Sequence, residues 1–292
     1  MQQLFITWNP SPDIFTIPFI DWPVRWYGLS WALAFIGCHF FMNRIFKAEG
    51  RTDKQLDSLT LYIVIATILG ARIGHCLFYE TAYFLANPLD ILKIYQGGLA
   101  SHGGAIGIII GMWLYCRSTK EKWMWLFDRL VVVVPFASFM IRFGNLMNSE
   151  IVGKPTTLPW GFKFLQNSED EMAFHQAGIE IPVRHPTQLY EALFYTILFI
   201  LMYWLWKNKR EQFGKGFMFG LFCVIMFAFR FLIEFLKENQ VNSEATQMIN
   251  NGQILSIPFI VIGLYMMIRS KKLGKHQPEE LNPPIEQPSP TN

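Results

Sequence analysis

Seven predominantly apolar windows, at about 24–43, 56–79, 98–116, 123–147, 187–206, 216–236 and 252–268, leave this chain few ways to fold. Each is close to the roughly 20 helical residues that cross a hydrocarbon layer about 30 Å thick. In that layer every backbone amide must find its partner inside the protein, which turns such windows into helices. The expected fold is therefore an all-α integral membrane protein with seven transmembrane helices. Only 16% of the residues are charged, against about a quarter in a soluble domain.

Lys and Arg fall unevenly between the windows. Arg44, Lys47, Arg51 and Lys54, then Arg117, Lys120 and Lys122, then Lys207, Lys209, Arg210 and Lys215, and last Arg269, Lys271, Lys272 and Lys275 occupy one set of connections. The other set holds only Lys93, Lys154, Lys163, Arg184 and Lys237. The positive-inside rule places the first set in the cytoplasm, with the N-terminus outside and the C-terminus inside. These basic segments then require no nucleic-acid partner.

The organisation expected is an interfacial N-terminal arm over 1–23, rich in Trp and Phe and without the basic start of a cleaved leader. A seven-helix domain over 24–272 follows, carrying a small exterior cap at about 148–185, and then a disordered cytoplasmic tail over 273–292. Cys38, Cys76, Cys116 and Cys223 all sit in or beside the apolar windows. That placement reads as small packing residues, without a disulfide framework or a metal cluster.

Against this background the stretch "IRFGNLMNSEIVG", residues 141–153, is anomalous. Ionisable groups within a span cost about 2.5–3.5 kcal/mol each on insertion scales, so each calls for a reason. Arg142, Asn145 and Asn148 are spaced three apart and share a helix face in the outer third of the membrane, where lipid phosphates begin. A guanidinium beside amides suits an anionic phosphoester, while polar glue between helices is the competing reading. In "FRFLIEFLKEN", Arg230 and Glu234 are four apart on one face, supplying a second arginine.

His102, in "GGLASHGGAIG" between Gly97–Gly98 and Gly103–Gly104, is a candidate general base or a hydrogen-bonded core histidine. The same outer layer takes in His185, Gln188, Tyr190 and Glu191 of "RHPTQLYEAL", and Arg72, His75 and Tyr79 of "GARIGHCLFYE". Gln188 and Glu191 share a face. Arg129, alone nearer the inside, reads as an inner-leaflet anchor. Neither HExxH nor Gly-x-Ser-x-Gly is present, nor an aspartate cluster for divalent metal. An anion carrier would need polar groups along both halves of the membrane, and a scaffold would leave the intramembrane charges without a purpose.

"GGLASHGG", "GNLMNSEIVG" preceded by Arg142, "HPTQLYEAL", "RFLIEF" and "NGQILSIP" occur in that order, after "RWYGLSWALA" near residue 25. Together they resemble the bacterial prolipoprotein diacylglyceryl transferases over most of the chain. The resemblance implies transfer of the diacylglyceryl group of phosphatidylglycerol to the thiol of a prolipoprotein's lipobox cysteine, forming a thioether and releasing glycerol phosphate. It implies a site toward the outer face of the bacterial inner membrane, with no cofactor or metal.

Residue by residue, the resemblance assigns the family's essential histidine to His102 and its first-helix tyrosine to Tyr27. The signature's arginine, first asparagine, glutamate and glycine fall on Arg142, Asn145, Glu150 and Gly153, and the helix-six pair on Arg230 and Glu234. Three positions depart from the family pattern: Ile141 where Gly is usual, Met226 where Tyr is usual, and "KENQ" in place of a basic, Pro-containing stretch. The expected roles are phosphate binding by Arg142 and Arg230, orientation by Tyr27 and Asn145 with Asn148 and Gly153 beside them, and proton abstraction or substrate orientation by His102. Glu150 and Glu234 are expected to hold the arginines.

Overall fold

Side-chain caps set two of the main helix starts. Thr52 accepts from the Gln55 N–H while the Gln55 side chain accepts from the Thr52 N–H, a capping box that opens α2 (Asp53–Phe78). Asn250 and Gln253 make the same reciprocal pair at α9 (Asn251–Leu273). The structure is a computed structural model that describes residues 4–19, 21–94, 98–238 and 249–276. The expected tail beyond 276, together with Gly97, lies outside the described residues.

Three short strands come first: β1 (Ile6–Trp8), β2 (Asp13–Ile17) and β3 (Trp22–Arg25). They are followed by α1 (Trp26–Ala48), α2, α3 (Thr81–Ala86), α4 (Ser101–Thr119), α5 (Trp123–Met147), β4 (Phe162–Phe164), α6 (Ser168–Ala177) and β5 (Val183–Arg184). The last helices are α7 (Thr187–Lys209), α8 (Phe217–Ile233) and α9. Each of the seven apolar windows lies on a helix. Five of these, α1, α2, α5, α9 and α7 with its short extension to Gln212, are long and apolar enough to cross a membrane. α8 is apolar but shorter, and α4 begins on Ser101, His102 and two glycines, which dilutes its apolarity. The chain is a predominantly helical, multi-pass membrane protein.

Beside the helices of the expected all-α fold stand two small sheets. β1 pairs in parallel with β4, which pairs antiparallel with β5, and β2 pairs antiparallel with β3. The cause is aromatic: Phe162 and Phe164 bury with Leu146 and Val152, and Trp8 of β1 packs on them. The Trp8 indole also donates to the Leu146 carbonyl at 2.9 Å, tying the first strand to the end of α5. The expected arm and cap thus share one sheet.

The chain divides into two compact units, one formed by Met1–Cys38 with Leu130–Lys275, the other by His39–Arg129 with His276–Asn292. In the first, α8 and α9 meet where Gly220 and Gly263 face each other, and Phe227 stacks on Phe259 at 4.3 Å. In the second, α2 and α4 touch backbone to backbone: a Cβ on Gly103 would strike the Gly70 carbonyl, and one on Gly74 would come 2.7 Å from the Gly103 Cα. Such approach is open only to glycine and favours dispersion contact along the whole pair.

The second unit also corrects the reading of Arg129. Its side chain is buried, its Nε lies 2.9 Å from a Glu49 carboxylate oxygen, and Trp125 donates to the same carboxylate at 2.7 Å. Arg129 is an interior ion-pair member, because an unpaired guanidinium at that depth would carry a large desolvation cost. His276 joins the cluster through Asp128 at 3.1 Å.

Candidate functional site

The site is assembled in the first unit, where α5 gives out. After Met147 the chain makes a turn in which Ser149 and Ile151 both adopt left-handed backbone, φ 54° and 59°. For a β-branched residue this is a strained conformation, tolerated only where the surroundings over-determine it. They do so here: Asn167 donates to the Ser149 carbonyl (2.9 Å), Gln188 to the Glu150 carbonyl (2.7 Å) and Thr187 to the Ile151 carbonyl (3.1 Å). The turn swings Glu150 back beneath the helix, so Asn145 Nδ2 and Asn148 Nδ2 both donate to its Oε1, at 3.0 and 3.3 Å.

Arg142 stands one turn earlier and donates to Asn145 Oδ1 at 3.0 Å. Its Nε lies 3.0 Å from Glu191 Oε2, an ionic approach without hydrogen-bond alignment. The expected pairing of Glu150 with an arginine is therefore corrected. Glu150 holds the two asparagines, while the fully buried Glu191 of α7 faces Arg142. Gly144 packs against Tyr27, with room for a Cβ only 3.0 Å from its ring, so α1 brings Tyr27 beside the signature helix.

Glu191 leads on to a residue whose role the sequence did not reveal. Lys237 is buried, with Nζ 3.0 Å from Glu191 Oε1 and 3.4 Å from Glu234 Oε1. Glu234 in turn lies 4.0 Å from Arg230, at the limit of an ion pair, and accepts from Asn250 Nδ2 at 3.1 Å. Glu234 thus touches Arg230 loosely and is held more closely by Lys237 and Asn250. The result is an unbroken alternation, Arg142, Glu191, Lys237, Glu234, Arg230, with a guanidinium at each end. The Arg230 side chain is 36% exposed, far more open than Arg142 at 13%. Lys237 sits three residues from Glu234, a helical spacing that offers a sequence signal. Asn250 and Gln253 offer another in their capping pattern.

Gly153 closes the turn. Its N–H donates to the His185 carbonyl at 3.0 Å and its own carbonyl accepts from Arg184 at 3.2 Å. A Cβ there would lie 2.6 Å from the His185 Cβ and 2.8 Å from the Leu236 carbonyl. Gly153→Ala is expected to destabilise the protein by about 1–3 kcal/mol, in the range of overpacked interiors. Thermal unfolding in detergent reads this as a lowered midpoint, and an unchanged midpoint would refute the crowding argument. His185 itself, half-buried, has its imidazole held below the ordinary value by burial.

His102 belongs to the other unit, on the first turn of α4. Its ring lies against Phe78 (5.3 Å) and Tyr79 (5.7 Å), and Tyr79 stacks on His75 at 5.6 Å. On α2, the Arg72 guanidinium donates to the carbonyls of Asp90 (2.6 Å), Ile91 (3.0 Å) and Gly98 (3.3 Å). The Ala100 N–H donates to the Ala71 carbonyl at 2.9 Å, seating the start of α4 on α2.

Residues 12–269 match the sequence model of a family described as prolipoprotein diacylglyceryl transferase. A protein of Bacteroides fragilis is 41% identical over 276 residues, covering 90% of this chain and 95% of its own. One of Tolumonas auensis is 43% identical over 266 residues, 91% of this chain and 97% of its own. One of Porphyromonas gingivalis is 43% identical over 275 residues, with 92% and 95% covered. All three carry the name phosphatidylglycerol–prolipoprotein diacylglyceryl transferase.

Proposed function

The chain belongs to the prolipoprotein diacylglyceryl transferase family, and from that premise we propose how its residues move the diacylglyceryl group of phosphatidylglycerol onto the lipobox cysteine of a prolipoprotein. The observation that carries the proposal is the five-residue alternation of charge ending in Arg142 and Arg230. Arg142, locked by Asn145 and facing Glu191, is preorganised. Arg230, open and loosely held, is placed to close on an arriving anion. Both bind the lipid phosphate.

The substrate thiolate attacks the glycerol carbon bearing the phosphoester oxygen. A carbon–sulfur bond forms, the carbon–oxygen bond breaks, and glycerol phosphate leaves with the bonding electrons. Negative charge grows on the departing phosphate, where fixed cationic donors in a dry site stabilise it by about 2.7–4 kcal/mol per donor removed in comparable sites. His102 takes the thiol proton. Thiols are mostly protonated at neutral pH, so a base raises the reactive fraction. Tyr27 and Asn145 orient the headgroup, and the reaction as written balances without a cofactor.

In this reading the seven helices that carry the apolar windows, α8 and α4 included, span the bacterial inner membrane, the N-terminus lies outside and the C-terminus in the cytoplasm. The site then faces outward beneath the cap, and the N-terminal arm lies at the interface, where exposed Phe15, Phe19 and Trp22 suit the headgroup layer.

The test uses purified protein with phosphatidylglycerol and a lipobox peptide, following glycerol phosphate and the peptide's mass. Wild type is expected to add a diacylglyceryl mass to the cysteine, and His102→Ala to lose at least about 10²-fold, as for a general base. Full activity of His102→Ala would remove the base from the mechanism. No mass gain by wild type would remove the transfer itself.

A further inference from the structure

The two arginines explain how a phosphate is held, but every phospholipid carries a phosphate. Distinguishing phosphatidylglycerol requires groups that read the two free, adjacent hydroxyls of its headgroup glycerol, and a hydroxyl is read as a donor only by a hydrogen-bond acceptor. Three buried side-chain oxygens around the strained turn have no partner among the described residues: Asn148 Oδ1, Ser149 Oγ and Gln188 Oε1. The two amide oxygens are pure acceptors.

Their orientation is not arbitrary. Glu150 offers only acceptors to both amides, its carboxylate to Asn148 Nδ2 (3.3 Å) and its backbone carbonyl to Gln188 Nε2 (2.7 Å). With each NH2 group committed to Glu150, each carbonyl oxygen is turned away from it, and flipping either amide would set oxygen against oxygen. Asn145 differs, because its amide is engaged at both ends, by Arg142 and by Glu150. Gln188 is fully buried and sits on α7 one turn before Glu191, the residue whose carboxylate faces Arg142. Buried polar groups are nearly always paired. Other unpaired ones occur elsewhere, the Tyr115 hydroxyl among them, but three of the oxygens gather around this one turn, where a ligand with hydroxyl donors is expected.

We propose that Asn148 and Gln188, aimed by Glu150, are the residues that select a glycerol headgroup by accepting hydrogen bonds from its hydroxyls. The proposal rests on the phosphate reading above and extends it from the charge of the substrate to its identity. A site built to bond a hydroxyl rejects the analogue lacking it far more strongly than an apolar pocket does. Two positioned acceptors leave their oxygens desolvated and unpaired when the hydroxyls are missing.

The experiment compares phosphatidylglycerol with phosphatidylpropanol, which keeps the phosphate and chain length and lacks both hydroxyls. Wild type is expected to favour phosphatidylglycerol by about 10²-fold or more in kcat/KM. In Gln188→Met and in Asn148→Leu, tested separately, both lipids are expected to be used less well, since each change also removes a bond to Glu150, but kcat/KM is expected to fall at least tenfold further on phosphatidylglycerol than on phosphatidylpropanol. A merely structural role would lower both substrates together, and that result would overturn the assignment. So would a wild type that uses the two lipids equally, which needs no folded variant to observe. Failure of wild type on both lipids would instead strike the transfer reading beneath it.

Discussion

Arg142→Gln is expected to lower kcat/KM for diacylglyceryl transfer by about 10²–10³ while the protein stays folded. On the proposed mechanism, the magnitude follows from removing one preorganised donor from the place where transition-state charge develops. The fold survives because Glu191 keeps Lys237 at 3.0 Å, so its buried carboxylate is still compensated. Arg142→Lys is expected to rescue little, since an ammonium cannot both face Glu191 and donate to Asn145 from one planar fork. Glycerol phosphate release and peptide mass measure the activity, and the thermal midpoint measures the fold. Activity within tenfold of wild type in Arg142→Gln would show that the phosphate is held elsewhere.

The largest stability effect is expected at Arg184. Its guanidinium meets both oxygens of Asp170 at 2.6 Å, Glu238 at 2.6 Å and the Gly153 carbonyl at 3.2 Å. One side chain therefore joins α6, β5, the signature glycine and the chain leaving α8. Arg184→Met strands the buried Asp170 carboxylate, and breaking a buried pair from one side costs about 3–5 kcal/mol. The expected sign is rapid proteolysis within 165–182 at a temperature where wild type resists. Adding Asp170→Leu is expected to restore much of the resistance, because replacing a whole ion pair by apolar groups is often neutral. A double variant as labile as the single one would mean that Asp170 was not the stranded group.

The helices were legible because apolar length is a local property, and each window lies on one. Arg142, Asn145 and Asn148 were legible as a stripe. The partner of Arg142 was not, because Glu150 is near in sequence but is carried away by a turn whose left-handed residues, Ser149 and Ile151, leave no signature in side-chain type. Lys237 was counted with the exterior charges, since nothing in "FLKEN" says that Glu191, 46 residues earlier, reaches it. The shared sheet escaped for the same reason: β1 and β4 pair across more than 150 residues.

The glycine seam between α2 and α4 has an evolutionary consequence. Cβ atoms at Gly70, Gly103 and Gly107 would each meet main-chain atoms of the facing helix. A side chain in the way can turn aside, but a backbone cannot. No second substitution nearby can therefore make space for the first, and the ordinary route of stepwise compensation is closed. The two helices are inherited as a single character, and His102 is inherited with them.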